Sequence, residues 1–346
     1  MAIGWGVIGC GRVANARSIP EGIMVAENAR LVGVSDLRMD RAQATADRFG
    51  GKAYQDTDEL LSDPTIDAVY IAAPPAAHAE LTINAAKHGK HVLCQKPIAL
   101  NAQQGEEMVR VCREQNVILG IGLMMRYHAC HQKMRNLIRD GAIGKPVAAR
   151  VRYSVWAPPV DADEDFGAWI HDPEIAGGGS MMDMGVHTID LMSMMVGRIT
   201  EVCSFCDTLV HGYAVEDTAS ILFKFDNGAQ GVMECYMSVP NFPGRRLLEI
   251  YGSEGMLVAE NTIYQLPTGD LWYYKRTPDG LVESEREAIE YTPQNMYLRE
   301  IQLFSEAVES GRAYQIPGEE GLYVQRVVDA IYRSSAERRY FTVDDF

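Results

Sequence analysis

Ile3-Gly4-Trp5-Gly6-Val7-Ile8-Gly9-Cys10-Gly11-Arg12-Val13-Ala14 is a short apolar run ending in G-x-G-x-x-A, and its reading decides the fold. The apolar residues predict a strand, and the glycines predict a tight turn from that strand into a helix. The first glycine, Gly9, makes the bend. The second, Gly11, lets a pyrophosphate approach the backbone, with Arg12 and Val13 in the same turn, and small Ala14 lets the helix pack on the sheet. A Gly-rich turn alone is a weak signal, but a second strand over residues 30–35 follows and ends in Asp36, 22 residues after Ala14. An acid at that distance binds a ribose 2′-hydroxyl in NAD-type sites. Arg38 is either a partner for a 2′-phosphate or a solvated residue at a helix start. Asp36 would repel a 2′-phosphate, so NAD is the expected cofactor and NADP the alternative.

Beyond this unit the alternation continues. Helices over 40–49, 56–61, 75–87 and 102–115 are interleaved with strands over 68–73, 91–94 and 117–120. Strands and helices alternating at this spacing predict an α/β, doubly wound parallel sheet. In such sheets ligands bind beyond the carboxyl ends of the strands. That rule brings the Gly9–Ala14 turn, Asp36, Ala73 and Pro74 with His78, and Gln95-Lys96-Pro97 to one edge as cofactor-binding candidates. A lysine leaving a buried strand toward that crevice is partly desolvated and suited to acid–base work. A surface lysine at a strand end is the plain alternative for Lys96.

A second stretch carries chemistry: Gly177-Gly178-Gly179-Ser180-Met181-Met182-Asp183-Met184-Gly185-Val186-His187-Thr188-Ile189-Asp190. It predicts a helix with Ser180 near the N-cap. Asp183, His187 and Asp190 at i, i+4 and i+7 then share one face. Two acids and a histidine among methionines are costly to bury without partners, so the face reads as an active site or a metal site. Asp-x-x-x-His offers only two good ligands, and no distant Cys/His cluster completes them; no metal is expected. Asp190 is expected to support the other two, and the glycines to let substrate and cofactor approach.

Composition bounds the rest. A chain of 346 residues predicts two domains. A net charge of −15 argues against nucleic acid or anionic membranes as partners. No apolar run is long enough to span a membrane, and the start lacks the basic residues of a signal peptide. Seven scattered cysteines fit small core residues of a reduced, cytoplasmic protein.

Taken together, Gly9–Ala14, Gly89-Lys90-His91-Val92-Leu93-Cys94-Gln95-Lys96-Pro97, Gly141-Ala142-Ile143-Gly144 and the 177–190 stretch resemble the glucose–fructose oxidoreductase / inositol dehydrogenase / MocA (Gfo/Idh/MocA) family, in order and spacing, over essentially the whole chain. The resemblance implies a Rossmann domain over 1–123 and an α+β domain with an open, mostly antiparallel sheet over 124–346, with the active site between them. It implies Lys96, Asp183 and His187 as the catalytic set. Two departures stand out. The family's Glu-Lys-Pro is Gln95-Lys96-Pro97, which removes a negative charge beside the lysine and is expected to lower its pKa. Thr-Pro-Asn is Ala73-Pro74-Pro75, which loses one side-chain contact to cofactor.

In the second half, Arg126 and Tyr127 fall at the domain junction, where a substrate would sit. A helix runs to about Asp140, and residues 147–155 predict a strand. Residues 156–175 form a long polar–aromatic loop carrying Trp156, Asp161, Asp163, Glu164, Asp165, Phe166 and Trp169, read as a lid or subunit arm suited to a polyhydroxylated ligand. Strands over 201–210, 218–225, 229–237 and 247–251, with a turn at Asp226-Asn227-Gly228, predict an antiparallel sheet needing cover, which a homodimer or homotetramer supplies. Helices are predicted over 296–310 and 322–333. The expected activity is hydride transfer between a secondary alcohol or ketone of a sugar, cyclitol or related polyol and nicotinamide, with substrate contacts from Arg126, Tyr127, Trp156, Trp169, Asp183 and His187. Whether Lys96 or His187 moves the proton stays open. So do a redox-neutral glycosidase or lyase that keeps its NAD, and a non-catalytic dinucleotide sensor.

Overall fold

The computed structural model describes residues 2–159, 168–212, 214–280 and 286–343. Asp161, Asp163, Glu164, Asp165 and Phe166 of the expected lid lie outside the described residues.

The first sheet contains β1 (Ile3–Ile8), β2 (Ala29–Ser35), β3 (Lys52–Tyr54), β4 (Ala68–Ile71), β5 (His91–Gln95) and β6 (Leu119–Gly122). Its order is β3-β2-β1-β4-β5-β6, with every pair parallel. All six residues of β1 are buried, because crossover helices cover both faces of a parallel sheet. The strand order reverses between β2-β1 and β4, opening the crevice in which dinucleotides bind in such folds. The short edge strand β3 has too few apolar residues to be read from the sequence.

The second sheet contains β7 (Pro146–Ser154), β8 (Ile199–Asp207), β9 (Thr218–Phe225), β10 (Gln230–Tyr236), β11 (Arg246–Gly252), β12 (Gly255–Glu260), β13 (Asp270–Lys275), β14 (Glu287–Ala288) and β15 (Phe341–Thr342). The order is β14-β13-β12-β11-β7-β10-β9-β8-β15. Only the β7–β10 pair is parallel. Gly228, at φ +85°, closes the β9–β10 hairpin where Asp226-Asn227-Gly228 predicts a turn. The inner face packs on helices Val186–Met195 and Gly318–Glu337. On the outer face Cys203, Leu222 and Val232 stand opposite one another on β8, β9 and β10, and Leu222 is 57% exposed.

The two C-terminal helices return to the parallel sheet. Helix Met296–Ser310 lies on the first crossover helix, Ala14–Ile23, and closes over β1. There the Trp5 ring meets Phe304 at 5.4 Å and its Nε1 donates to Ser305 Oγ at 3.2 Å. Helix Gly318–Glu337 extends beyond the expected 322–333 and packs on Ala102–Glu114. Asp329 accepts from the Ala102 amide at 2.7 Å, capping that helix from outside. Among the described residues no helix is long and apolar enough to cross a membrane.

Candidate active site

The turn after β1 has the geometry its glycines predict. Gly9 adopts φ +95°, and a Cβ there would come within 2.8 Å of the Ala72 carbonyl. A Cβ on Gly11 would face open space, with only Ala72 O at 4.0 Å, so a side chain would fill the volume a pyrophosphate needs. Asp36 is held at the end of β2: Oδ2 accepts from the Cys10 amide at 2.7 Å and Oδ1 from the Arg38 amide at 2.9 Å. Asp36 is thereby fixed to the Gly9–Ala14 turn. Arg38 reaches Asp40 with Nη2 2.7 Å from Oδ2, on the exposed rim. Ala73 and Pro74 line the same edge, half-buried. These residues fit a nicotinamide dinucleotide.

Lys96 leaves β5 through a cis peptide to Pro97 and crosses to the second domain. Its Nζ donates to Asp183 Oδ1 and to the Asp183 carbonyl, both at 2.7 Å. Burial alone would raise the Asp183 carboxyl, but the Lys96 charge and hydrogen bond, with smaller effects from His187 and Arg12, hold it below its ordinary range. His187 is 4% exposed, and its Nδ1 has no hydrogen-bond partner among the described residues. Burial, reinforced by the Lys96 charge, lowers the imidazole pKa to about 3, so the ring is neutral.

The helix carrying these groups differs from the uniform spiral that the spacing predicts. Residues Met181–Gly185 form wide π-type turns, with the Val186 amide donating to Met181 O, before the α-helix Val186–Met195 begins. Gly185 permits this, since the Met181 side chain folds over it and a Cβ would meet Met181 Cε at 2.5 Å. Ser180 is not a side-chain cap; its Oγ is buried without a partner among the described residues. Glu216 performs that role from the segment before β9. Its carboxylate accepts from the Gly179 and Met181 amides, each at 2.8 Å, and from the Tyr332 hydroxyl at 2.9 Å. This packing requires the three glycines. A Cβ at Gly178 would strike Tyr332 Oη at 2.0 Å, and one at Gly179 would strike Glu216 O at 1.9 Å.

Several residues expected at the ligands are turned elsewhere. Arg126 is bound to Asp190, with Nε at 2.7 and 2.9 Å from its two oxygens, and to Glu320, with Nη2 at 2.5 Å. Asp190 is 1% exposed, and a carboxylate so buried requires a paired cation; this consumes the guanidinium. Tyr127 is buried and donates to the Tyr314 hydroxyl at 3.0 Å. The Gln95 amide donates to the Tyr70 hydroxyl inside the core, because a side chain in that strand position points into the helix layer. His78 is enclosed, with Nδ1 2.8 Å from Pro97 O and Nε2 2.8 Å from Ala73 O; it ties together the loops after β4 and β5. Trp156 is 43% exposed with its edge on His211, and Trp169 is half-buried on the short helix Ala168–His171. No cluster of three or more potential metal ligands occurs among the described residues.

Two positions near the site went unread in the sequence. Glu216 lies 37 residues from the amide it caps, and no local pattern marks it. Tyr153 on β7 is buried close enough to Asp183 that this carboxylate, after burial itself, helps push its hydroxyl pKa up. Strand alternation could have placed Tyr153 on the inner face.

Comparison with known proteins agrees with this fold. The family model described as an oxidoreductase family with an NAD-binding Rossmann fold matches residues 3–123, and that of the GFO/IDH/MocA C-terminal domain matches residues 131–258. The chain is 30% identical to a 1,5-anhydro-D-fructose reductase of Ensifer adhaerens over 96% of each chain. It is likewise 30% identical to a myo-inositol 2-dehydrogenase of Thermotoga maritima over 98% of each. A levoglucosan dehydrogenase solved in complex with NADH superposes with a TM-score of 0.85 at 25% identity, covering 99% of both chains.

Proposed function

This chain belongs to the Gfo/Idh/MocA family of oxidoreductases, and we propose that it interconverts a secondary alcohol and a ketone on a sugar, cyclitol or related polyol. The observation that carries this reading is the Lys96 ammonium held on Asp183, with a neutral, buried His187 one turn further along the helix. A bound nicotinamide supplies the hydride acceptor or donor. Lys96, fixed by two hydrogen bonds, presents its remaining proton to the substrate oxygen. Lys96 or His187 relays the hydroxyl proton, out in the oxidation direction and back in reduction. Asp183 balances the lysine charge and aims the ammonium.

Residues 1–123 would hold the dinucleotide and 124–346 the substrate and subunit contacts. Asp36 favours NAD, since its carboxylate faces the turn where a 2′-phosphate would bring like charge. The exposed apolar row Leu222–Val232 supports pairing of the open sheet in a homodimer or homotetramer. Seven free cysteines accord with a cytoplasmic location.

The test follows NAD and NADP reduction against aldoses, inositols, anhydrosugars, glycosides, sugar acids and polyol phosphates. Turnover of at least one class, lost in Lys96→Ala, is expected. Flat traces throughout, with Lys96→Ala no different from the parent, would refute it; product formed without net dinucleotide consumption would favour the redox-neutral alternative.

A further inference from the structure

Arg246 opens β11 directly opposite Tyr153 on β7, and Tyr153 in turn stands opposite Cys235 on β10. Residues opposite one another across a sheet share a face. Cys235 Sγ donates to Ser180 O at 3.2 Å, so this row runs beneath the start of the catalytic helix. Tyr153 lies within electrostatic reach of Asp183 on one side and of Arg246 and Tyr264 on the other. One strand spacing, about 4.8 Å, separates Arg246 from Tyr153.

The Arg246 guanidinium lies 3.7 Å from the centre of the Tyr264 ring. Its Nε is buried without a hydrogen-bond partner, and no ion pair to Arg246 occurs among the described residues. Two other cations near this cleft are committed: Lys96 to Asp183, and Arg126 to Asp190 and Glu320. A stacked guanidinium keeps its N–H fork in one plane, the geometry that matches a carboxylate or phosphate edge. In a chain of net charge −15, Arg12 and Arg246 around the cleft supply the local positive field an anionic ligand needs.

We propose that Arg246, stacked on Tyr264 beside Tyr153, binds an anionic group on the substrate at the end remote from the reacting carbon. The substrate is then a polyhydroxylated acid or a polyol phosphate rather than a neutral polyol. This rests on the oxidoreductase reading above for the position of the reacting carbon.

The test measures binding of D-gluconate, D-glucitol 6-phosphate and neutral D-glucitol to the NADH-saturated protein by calorimetry. At least one anion is expected to bind tenfold or more tightly than glucitol, and which one does so tells carboxylate from phosphate. Arg246→Met is expected to erase the preference, and Arg246→Lys to keep part of it, because the charge remains while the stacked fork is lost. Equal binding of all three, no binding of either anion, or a preference that survives Arg246→Met overturns the proposal; NADH binding by each variant reports its folding. Oxidation of neutral polyols without an anion preference would sink this inference alone. An anion preference without turnover of any polyol would sink the redox reading alone.

Discussion

Replacing Glu300 with glutamine should stabilise the protein, and by more as the pH rises. Glu300 sits on helix Met296–Ser310, fully buried, and neither carboxyl oxygen has a hydrogen-bond partner among the described residues. Burial pushes its pKa up to about 8 from 4.5. The folded state therefore holds the proton more tightly than the unfolded chain. Stability from this group is complete below pH 4.5 and is lost as the pH climbs toward 8. Each unit in that window removes about 1.4 kcal/mol, so between pH 5 and 7.5 the loss approaches about 3 kcal/mol. Glutamine has nearly the same shape and no proton to lose. Urea unfolding of both proteins at pH 5, 6, 7 and 7.5 isolates the effect, because other titrating groups cancel in the difference. The expected outcome is a Glu300→Gln advantage that widens with pH. A constant difference across that range would show that Glu300 is not a neutral buried acid.

Three further outcomes follow from the site. Arg126→Met strands the Asp190 carboxylate and should cost about 3–5 kcal/mol of stability by urea unfolding, largely recovered in Arg126→Met/Asp190→Leu; unchanged stability with a raised substrate KM would instead make Arg126 a substrate contact. With the His187 pKa near 3, kcat/KM should show no inflection from this residue between pH 5 and 8; an acid limb near 6.5 that disappears in His187→Asn would contradict a neutral ring. Asp36→Ala removes the carboxylate that joins ribose site to phosphate turn, and should weaken NAD binding roughly 10- to 100-fold in fluorescence titration; an unchanged Kd would place the ribose elsewhere.

What could be read from the chain depended on the range of the interactions involved. The β1 turn was legible because Gly9, Gly11 and Asp36 act through backbone geometry that a few neighbouring residues determine. Lys96 and Asp183 were legible as a pair only through the family pattern; 87 residues separate them, and no spacing rule spans that gap. The even helical face of Asp183, His187 and Asp190 failed in detail because one glycine, Gly185, allowed a wider turn. Local preference points to Ser180 as a cap, whereas the cap is Glu216, chosen by tertiary packing. Arg126 and Tyr127 sat at the expected junction, but position along the chain does not say which way a side chain turns. Burial of Asp190 decided it for Arg126.

The hydrogen bond from Trp5 to Ser305 joins residues 300 positions apart, and the Phe304 ring packs beside it. The first strand emerges from the ribosome long before the helix that seals it has been translated. At typical elongation rates of about 5–20 residues per second, that interval is roughly 15–60 s. Throughout it the nascent nucleotide-binding half exposes an indole and the flank of its first crossover helix. Partial chains ending before residue 296 should thus be clients for holding chaperones, and the dinucleotide fold is completed only when helix Met296–Ser310 is made.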